Sequence, residues 1–110
     1  MNKIQLTAVA SIFSLLPALA FSAGSAAKGQ HKSAVCHACH GVNGKSTQPI
    51  YPNLGGQHQD YLVKTLQEFR DGTRKNAIMS GFATNLSDAD IEDIAAWYAS
   101  RDGLTEIKDK

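Results

Sequence analysis

The pentapeptide Cys36-His37-Ala38-Cys39-His40 constrains this 110-residue chain more than any other feature, because it contains both of the cysteines. Its C-x-x-C-H spacing is the attachment signature of c-type haem. Two thiols three residues apart lie on one helical turn, where each can form a thioether with one haem vinyl group. The next residue, His40, is then held beneath the iron, where an imidazole nitrogen can bind it. The motif therefore predicts one covalently bound haem c, anchored by Cys36 and Cys39.

Other uses of a C-x-x-C pair fit the rest of the chain less well. A zinc site needs four ligands, and no second cysteine pair or H-x-x-x-H motif follows. A thioredoxin-like dithiol is expected beside a β-α-β pattern, whereas no strand-like alternation occurs here. A structural disulfide across so short a loop would stabilise the fold only modestly. Haem attachment is the interpretation that the motif favours.

A second axial ligand has to come from elsewhere in the chain. Apart from the first residue, the only methionine is Met79, which lies 39 residues after His40. Its neighbours are polar and flexible, so we expect residues 73–86 to form a loop that carries it. Histidine and methionine together raise the reduction potential and suit electron transfer. The alternative ligands are His31, His37 and His58, of which His58 is the strongest rival.

The N-terminal 27 residues have the pattern of an export signal peptide. Lys3 precedes an apolar stretch over residues 4–21, and small residues follow to position 27. The stretch is too short and too polar for a good transmembrane helix, and no later segment is apolar enough to span a bilayer. We therefore expect residues 1–22 to be removed, with cleavage near Ala20–Ala23. Residues 23–110 would then form one monohaem domain in the periplasm.

Size and charge narrow the functional classes further. The chain has 11 Lys and Arg against 10 Asp and Glu, and residues 1–27 hold one of those basic residues and no acidic one. The mature domain is thus formally neutral, and it lacks the basic stripe that binds nucleic acid. So short a domain usually needs stabilisation beyond its small apolar core, and a large covalent cofactor would supply it.

Apolar periodicity and capping residues predict three main helices and no strand, which is an all-α fold. The first helix covers about residues 25–39, and the second covers 57–71 with Gly72 as its C-terminal cap. The third begins after Ser87, which forms a capping box with Asp90. The acidic residues at its start favour a solvated helix end over a docking patch. They are Asp88, Asp90, Glu92 and Asp93.

From Lys28 to Asp102 the chain resembles class I cytochromes c, and among them the cytochrome c4 and c553-like group. The resemblance rests on Gly29, Cys36–Gly41, Pro52–Gln57, Tyr61-Leu62, Phe69–Arg74, Met79, and Leu86–Ile91 running into Ala95–Tyr98. It implies a small cytochrome c fold wrapped around one covalent haem. Cytochromes c4 carry two such domains, whereas this chain has one C-x-x-C-H motif. The single motif is therefore compatible with a homodimer and also with a subunit of a larger enzyme.

The resemblance also implies roles for individual residues. It assigns Cys36 and Cys39 as thioether anchors, His40 and Met79 as axial iron ligands, and Pro52, Tyr61, Arg74 and Trp97 as further cofactor-binding residues. The Pro52 carbonyl would accept a hydrogen bond from His40 Nδ1. Arg74 would pair with a haem propionate. Gly29 would let the first helix cross closely beneath the last at Trp97.

The resemblance implies a periplasmic electron carrier and not an enzyme. The carrier would take one electron from a donor such as quinol–cytochrome c reductase and pass it to a terminal oxidase. It would dock through a small apolar patch that includes Ile50, Gly81 and Phe82. The alternatives are the cytochrome subunit of a periplasmic dehydrogenase and, with an open sixth position, a haem-based sensor.

Overall fold

The computed structural model of the chain describes residues 4–5, 7–15 and 23–103. Of the expected cleavage positions, Ala20 to Ser22 lie outside these residues. The regular structure within them is helical: α1 (Ala26–Lys32), a 3₁₀ turn (Ser33–Cys36), α2 (His37–His40), α3 (Gln59–Asp71), α4 (Ala77–Ala83) and α5 (Asp88–Ala99). This confirms the predicted all-α class. None of the described helices is long and apolar enough to cross a membrane.

The first predicted helix, residues 25–39, consists of three short pieces. α1 ends at Lys32, and the next residue, Ser33, is fully buried. The Ser33 hydroxyl donates to the Gln30 carbonyl at 3.1 Å. A serine that bonds to the preceding turn competes with the regular helical hydrogen bonds. The tighter 3₁₀ turn follows, and only then does α2 begin.

The predicted loop over residues 73–86 is wrong, because this segment contains helix α4. Asn76 caps that helix, and its side-chain oxygen accepts from the Met79 amide at 3.0 Å. A side-chain cap of this kind offsets the poor helix propensity of Ser80 and Gly81 in the middle of α4. Met79 therefore lies on a short helix and not in a flexible loop.

The end of α3 and the start of α5 follow the prediction. Gly72 ends α3 in the left-handed conformation, at a φ of 80° that favours glycine. At the start of α5, the Ser87 hydroxyl accepts from the Asp90 amide, and the Asp90 carboxylate accepts from the Ser87 amide, both at 3.0 Å. This reciprocal capping box sets the first residue of α5.

Helix α5 is the centre of the core and packs against α1 and α3. The central buried cluster consists of Leu62, Ile94, Ala95, Trp97 and Tyr98. α1 crosses α5 at Gly29, where an added Cβ would lie 1.8 Å from the Asp93 carbonyl oxygen and 2.9 Å from Trp97 Cβ. No side chain fits in that gap, so the predicted close crossing is confirmed.

The acidic start of α5 is only partly solvated, contrary to the prediction. Asp93 is buried and accepts from the Ser25 amide at 2.7 Å and from Lys32 Nζ at 2.6 Å. Lys32 also contacts Asp90 at 2.9 Å. Hydrogen bonds from Lys32 and Ser87 lower the pKa of Asp90 to about 2, and Lys32 lowers the pKa of Asp93 as well. These contacts join both ends of α1 to the first turns of α5.

Candidate functional site

The two cysteines lie where the 3₁₀ turn passes into α2. Cys36 ends the turn and Cys39 lies within α2, and both are half-buried free thiols. Burial raises the pKa of Cys36 to about 11, and the neighbouring Cys39 adds to this shift. Cys36 is thus held as a neutral thiol and not as the thiolate that a redox-active dithiol uses. In the described part of the chain, no three His, Cys, Asp or Glu side chains come together as a metal site.

His40 is buried, and its ring is oriented by a single hydrogen bond. Nδ1 lies 2.8 Å from the Pro52 carbonyl oxygen, which is the contact that the resemblance implies. A carbonyl can only accept, so Nδ1 carries the proton, and Nε2 keeps the lone pair that a metal requires. The Tyr51 ring packs edge-on against the imidazole, with 6.4 Å between the ring centroids. No sequence pattern singled out Tyr51, because only the folded loop brings it to the histidine.

The Pro52 carbonyl belongs to residues 41–56, called the Pro52 loop below. Near the start of the loop, the Gly44 carbonyl accepts from the Leu54 amide at 2.8 Å. Thr47 donates from its amide to the Cys39 carbonyl at 3.2 Å. The loop therefore folds back on the motif and brings its proline beside the imidazole. Thr47 is a second residue that the sequence did not single out, since its partner is set by the fold of the loop.

Met79 is half-buried on α4, next to two exposed apolar side chains, Ile78 and Phe82. The rival ligand His58 is exposed and lines a surface cavity with Ala23 and residues of α3 and α5. Neither the motif nor α4 contributes a residue to that cavity.

The other predicted cofactor-binding residues lie in two different places. Tyr61 on α3 is close to Arg74, whose guanidinium lowers the pKa of the Tyr61 phenol. Arg74 also stacks on the Phe69 ring, 5.2 Å from its centroid. Trp97, in contrast, is buried in the core, and its indole N–H donates to the Val42 carbonyl at 3.0 Å.

The residues around the motif fit a covalent haem. Two free thiols and an imidazole with a free Nε2 are the groups that thioether attachment and iron binding need. Large apolar side chains stay exposed within three residues of Cys36, Pro52 or Met79. They are Val35, Ile50, Ile78 and Phe82, with exposed fractions of 59%, 78%, 62% and 48%. A contiguous exposed apolar patch can mark a ligand-binding region.

The chain is similar to known proteins over most of its length. Residues 26–101 match the family described as Cytochrome c. The chain is 46% identical over 101 residues to cytochrome c4 of Pseudomonas aeruginosa, which covers 92% of this chain and 49% of that protein. It is 49% identical over 83 residues to cytochrome c-554(548) of Halomonas halodenitrificans, covering 73% of this chain and all of that protein.

A solved structure shares the fold. The crystal structure of reduced recombinant cytochrome c4 from Pseudomonas stutzeri superposes with a TM-score of 0.71 at 45% identity, covering 79% of this chain and 50% of that chain. The chain thus spans about half the length of the cytochromes c4 that it matches.

Proposed function

The chain belongs to the cytochrome c family, whose cofactor is covalently bound haem c, and on that premise we propose that it is a periplasmic one-electron carrier. The observation that carries the proposal is the hydrogen bond from His40 Nδ1 to the Pro52 carbonyl at 2.8 Å. That bond leaves Nε2 as the iron-binding nitrogen and raises its basicity. We propose Cys36 and Cys39 as the thioether anchors and His40 and Met79 as the axial ligands.

Two protein ligands would leave no open position at the iron for a substrate. When bound, haem c supplies an iron that cycles between ferric and ferrous states. The chain's own part is to bind and orient. His40 is held by Pro52 on one side and by the Tyr51 ring on another, so these contacts would restrain the imidazole during a change of charge at a bound iron. Saturated ligation and a fixed ring suit electron exchange and not substrate turnover.

The remaining predicted contacts extend this site. We propose that Tyr61 lines the pocket and that Arg74 pairs with a haem propionate through its guanidinium. Arg74 is exposed and stacks on Phe69, which supports a role at the pocket edge.

The proposed docking surface is the small apolar patch that contains Ile50, Gly81 and Phe82. Ile50 is 78% exposed and Phe82 is 48% exposed, which leaves apolar area for a brief contact. Weak electron-transfer complexes bury little surface. The partner classes we propose are a quinol–cytochrome c reductase as donor and a terminal oxidase as acceptor.

Export to the periplasm is proposed from the N-terminal pattern. The described apolar residues there add nothing to the core, since Val9, Ile12 and Phe13 are 87%, 89% and 91% exposed. Removal of residues 1–22 as a signal peptide would take this apolar surface away. The remaining domain, from residue 23 onward, contains every proposed haem contact.

Optical spectroscopy of the haem-loaded protein tests the ligand assignment. We expect the oxidised wild-type protein to show a low-spin spectrum with the far-red sulfur-to-iron charge-transfer band. Met79→Ala should abolish that band, while the matched control His58→Ala should keep it. Loss of the band in His58→Ala, or its survival in Met79→Ala, would show that the axial pair is assigned wrongly.

Two further measurements separate the carrier from the other functional classes. A carrier should purify without a stoichiometric partner, and its reduced form should bind carbon monoxide slowly because Met79 fills the sixth position. Copurification with a dehydrogenase in a fixed ratio would instead make the chain an enzyme subunit. Rapid carbon monoxide binding to the native reduced protein would indicate a sensor.

A further inference from the structure

The last turn of α5 holds both ends of the Pro52 loop. At the start of the loop, Trp97 Nε1 donates to the Val42 carbonyl at 3.0 Å, and the Tyr98 hydroxyl donates to the Gly41 carbonyl at 3.3 Å. At its end, the Gly56 amide donates to the Tyr98 carbonyl at 3.0 Å. Two consecutive residues of one helix therefore fix the two ends of the same loop.

The donors in these contacts are buried, so the hydrogen bonds are costly to lose. Trp97 and Tyr98 are only 6% and 1% exposed. A buried N–H or O–H that loses its acceptor keeps its desolvation penalty, because water cannot replace the lost partner. The loop is therefore bound to a buried part of the core.

Backbone packing at the end of the loop adds a second restraint. An added Cβ on Gly55 would lie 2.5 Å from the Asp102 carbonyl oxygen, and one on Gly103 would lie 2.1 Å from the Gly55 carbonyl oxygen. The loop and the residues after α5 thus approach to backbone contact. No side chain can separate them without moving the loop.

This loop carries the carbonyl that orients His40. His40 directly precedes Gly41, the first residue of the loop, and Pro52 lies near its other end. Fixing both ends of the loop on α5 therefore fixes the Pro52 carbonyl relative to the imidazole. We propose, on the premise that His40 is an axial ligand as proposed above, that Trp97 and Tyr98 are positioning residues that set the orientation of the His40 ring through the Pro52 loop.

The proposal gives Trp97 a different role from a haem contact or a plain core residue. Its indole N–H is already occupied by Val42, so it acts on the cofactor site through the backbone. A plain core residue would change stability alone. A positioning residue would also change the environment of the iron, and the two effects can be measured separately.

The test compares Trp97→Phe with Ile91→Val in the haem-loaded protein. Trp97→Phe keeps an aromatic ring in the core but removes the N–H donor to the loop. Ile91 is fully buried on the same helix, and its shortening weakens the core without removing a hydrogen bond to the loop. For each variant we would record the electron paramagnetic resonance g-values and the haem methyl proton shifts of the oxidised form, the midpoint potential, and the urea midpoint.

We expect both variants to unfold at lower urea concentration than the wild type. Only Trp97→Phe should shift the g-values, the methyl proton shifts and the midpoint potential, because only it removes a hydrogen bond to the loop. Unchanged spectra in Trp97→Phe, or equal spectral shifts in both variants, would overturn the proposal. If Trp97→Phe does not load haem, the same spectra and midpoint potential are recorded for Tyr98→Phe, which removes only the hydroxyl that donates to Gly41. Unchanged values in that variant would overturn the proposal. A wrong axial role for His40 would show separately, as a wild-type spectrum without low-spin histidine ligation.

Discussion

Replacing Gly29 with alanine should destabilise the domain, although alanine is the better helix former. Position 29 lies in α1, where glycine-to-alanine substitution alone would stabilise by about 0.5–1 kcal/mol. The added Cβ, however, would lie 1.8 Å from the Asp93 carbonyl oxygen, and real Cβ atoms stay at least 3.0 Å away. Because the obstacle is backbone and not a flexible side chain, α1 has to move away from α5.

The size of the effect follows from what that movement breaks. Overpacking a close contact costs about 1–3 kcal/mol. The same shift stretches the Ser25 amide to Asp93 hydrogen bond, now 2.7 Å, and leaves a buried carboxylate short of a donor. Such a loss costs about 1–3 kcal/mol. After subtracting the propensity gain, we expect a net destabilisation of about 3 kcal/mol.

Urea unfolding of the haem-loaded protein, followed by far-ultraviolet circular dichroism, measures this change. For an m-value of about 1.5 kcal/mol/M, the midpoint should fall by about 2 M. The control is Gln30→Ala, an exposed neighbour on the same helix, which should stay within about 0.5 kcal/mol of the wild type. A Gly29→Ala variant as stable as that control would refute the reasoning that backbone contact sets the crossing.

Three further predictions follow from contacts described above. The pKa of Asp90 is about 2 in the folded state and that of Asp93 is also lowered, so both carboxylates take up protons at a higher pH in the unfolded chain than in the folded one. Stability should therefore fall as the pH drops from about 4 to 2. Lys32→Met should be less stable than the wild type above pH 4 and approach it near pH 2 in urea titrations; parallel curves would contradict this. Asn76→Ala, which removes the cap of α4, should cost about 1 kcal/mol by thermal unfolding, whereas the exposed Lys75→Ala should cost little. Electron-transfer rates with a partner should depend weakly on salt, because residues 23–110 contain equal numbers of basic and acidic side chains, and a steep fall with ionic strength in stopped-flow measurements would count against this.

Helix ends were predictable from the sequence where the signal is local. Gly72 and the Ser87–Asp90 capping box act within four residues, so their positions can be identified without knowing the fold. Helix α4 escaped prediction because it is seven residues long and has Ser80 and Gly81 in its middle. Its single strong signal is Asn76, a residue equally common in turns.

Contacts between distant segments were not predictable in the same way. Asp93 and Lys32 are 61 residues apart. In the sequence, nothing distinguishes the carboxylate that becomes buried from the other three acidic residues at the start of α5. At the site, the motif itself predicts the haem anchors, whereas the Pro52 contact required the family resemblance. Apolar periodicity predicts that Trp97 and Tyr98 are buried, but it does not say which backbone groups their polar ends will meet.

The contact between Ser25 and Asp93 joins residues that are 68 positions apart, so forming it closes a long loop of chain when the domain folds. Helix α1 has seven residues, too few to persist alone in water. Its main packing partner is α5, so α1 gains stable structure only once α5 has folded, and contacts between such distant residues slow folding. Cys36 and Cys39 are half-buried in the folded chain, and Cys36 packs against the core cluster to which α5 contributes, so we expect these thiols to be more exposed before the core forms. The close crossing at Gly29 therefore links the docking of α1 on α5 to the burial of the motif that follows α1.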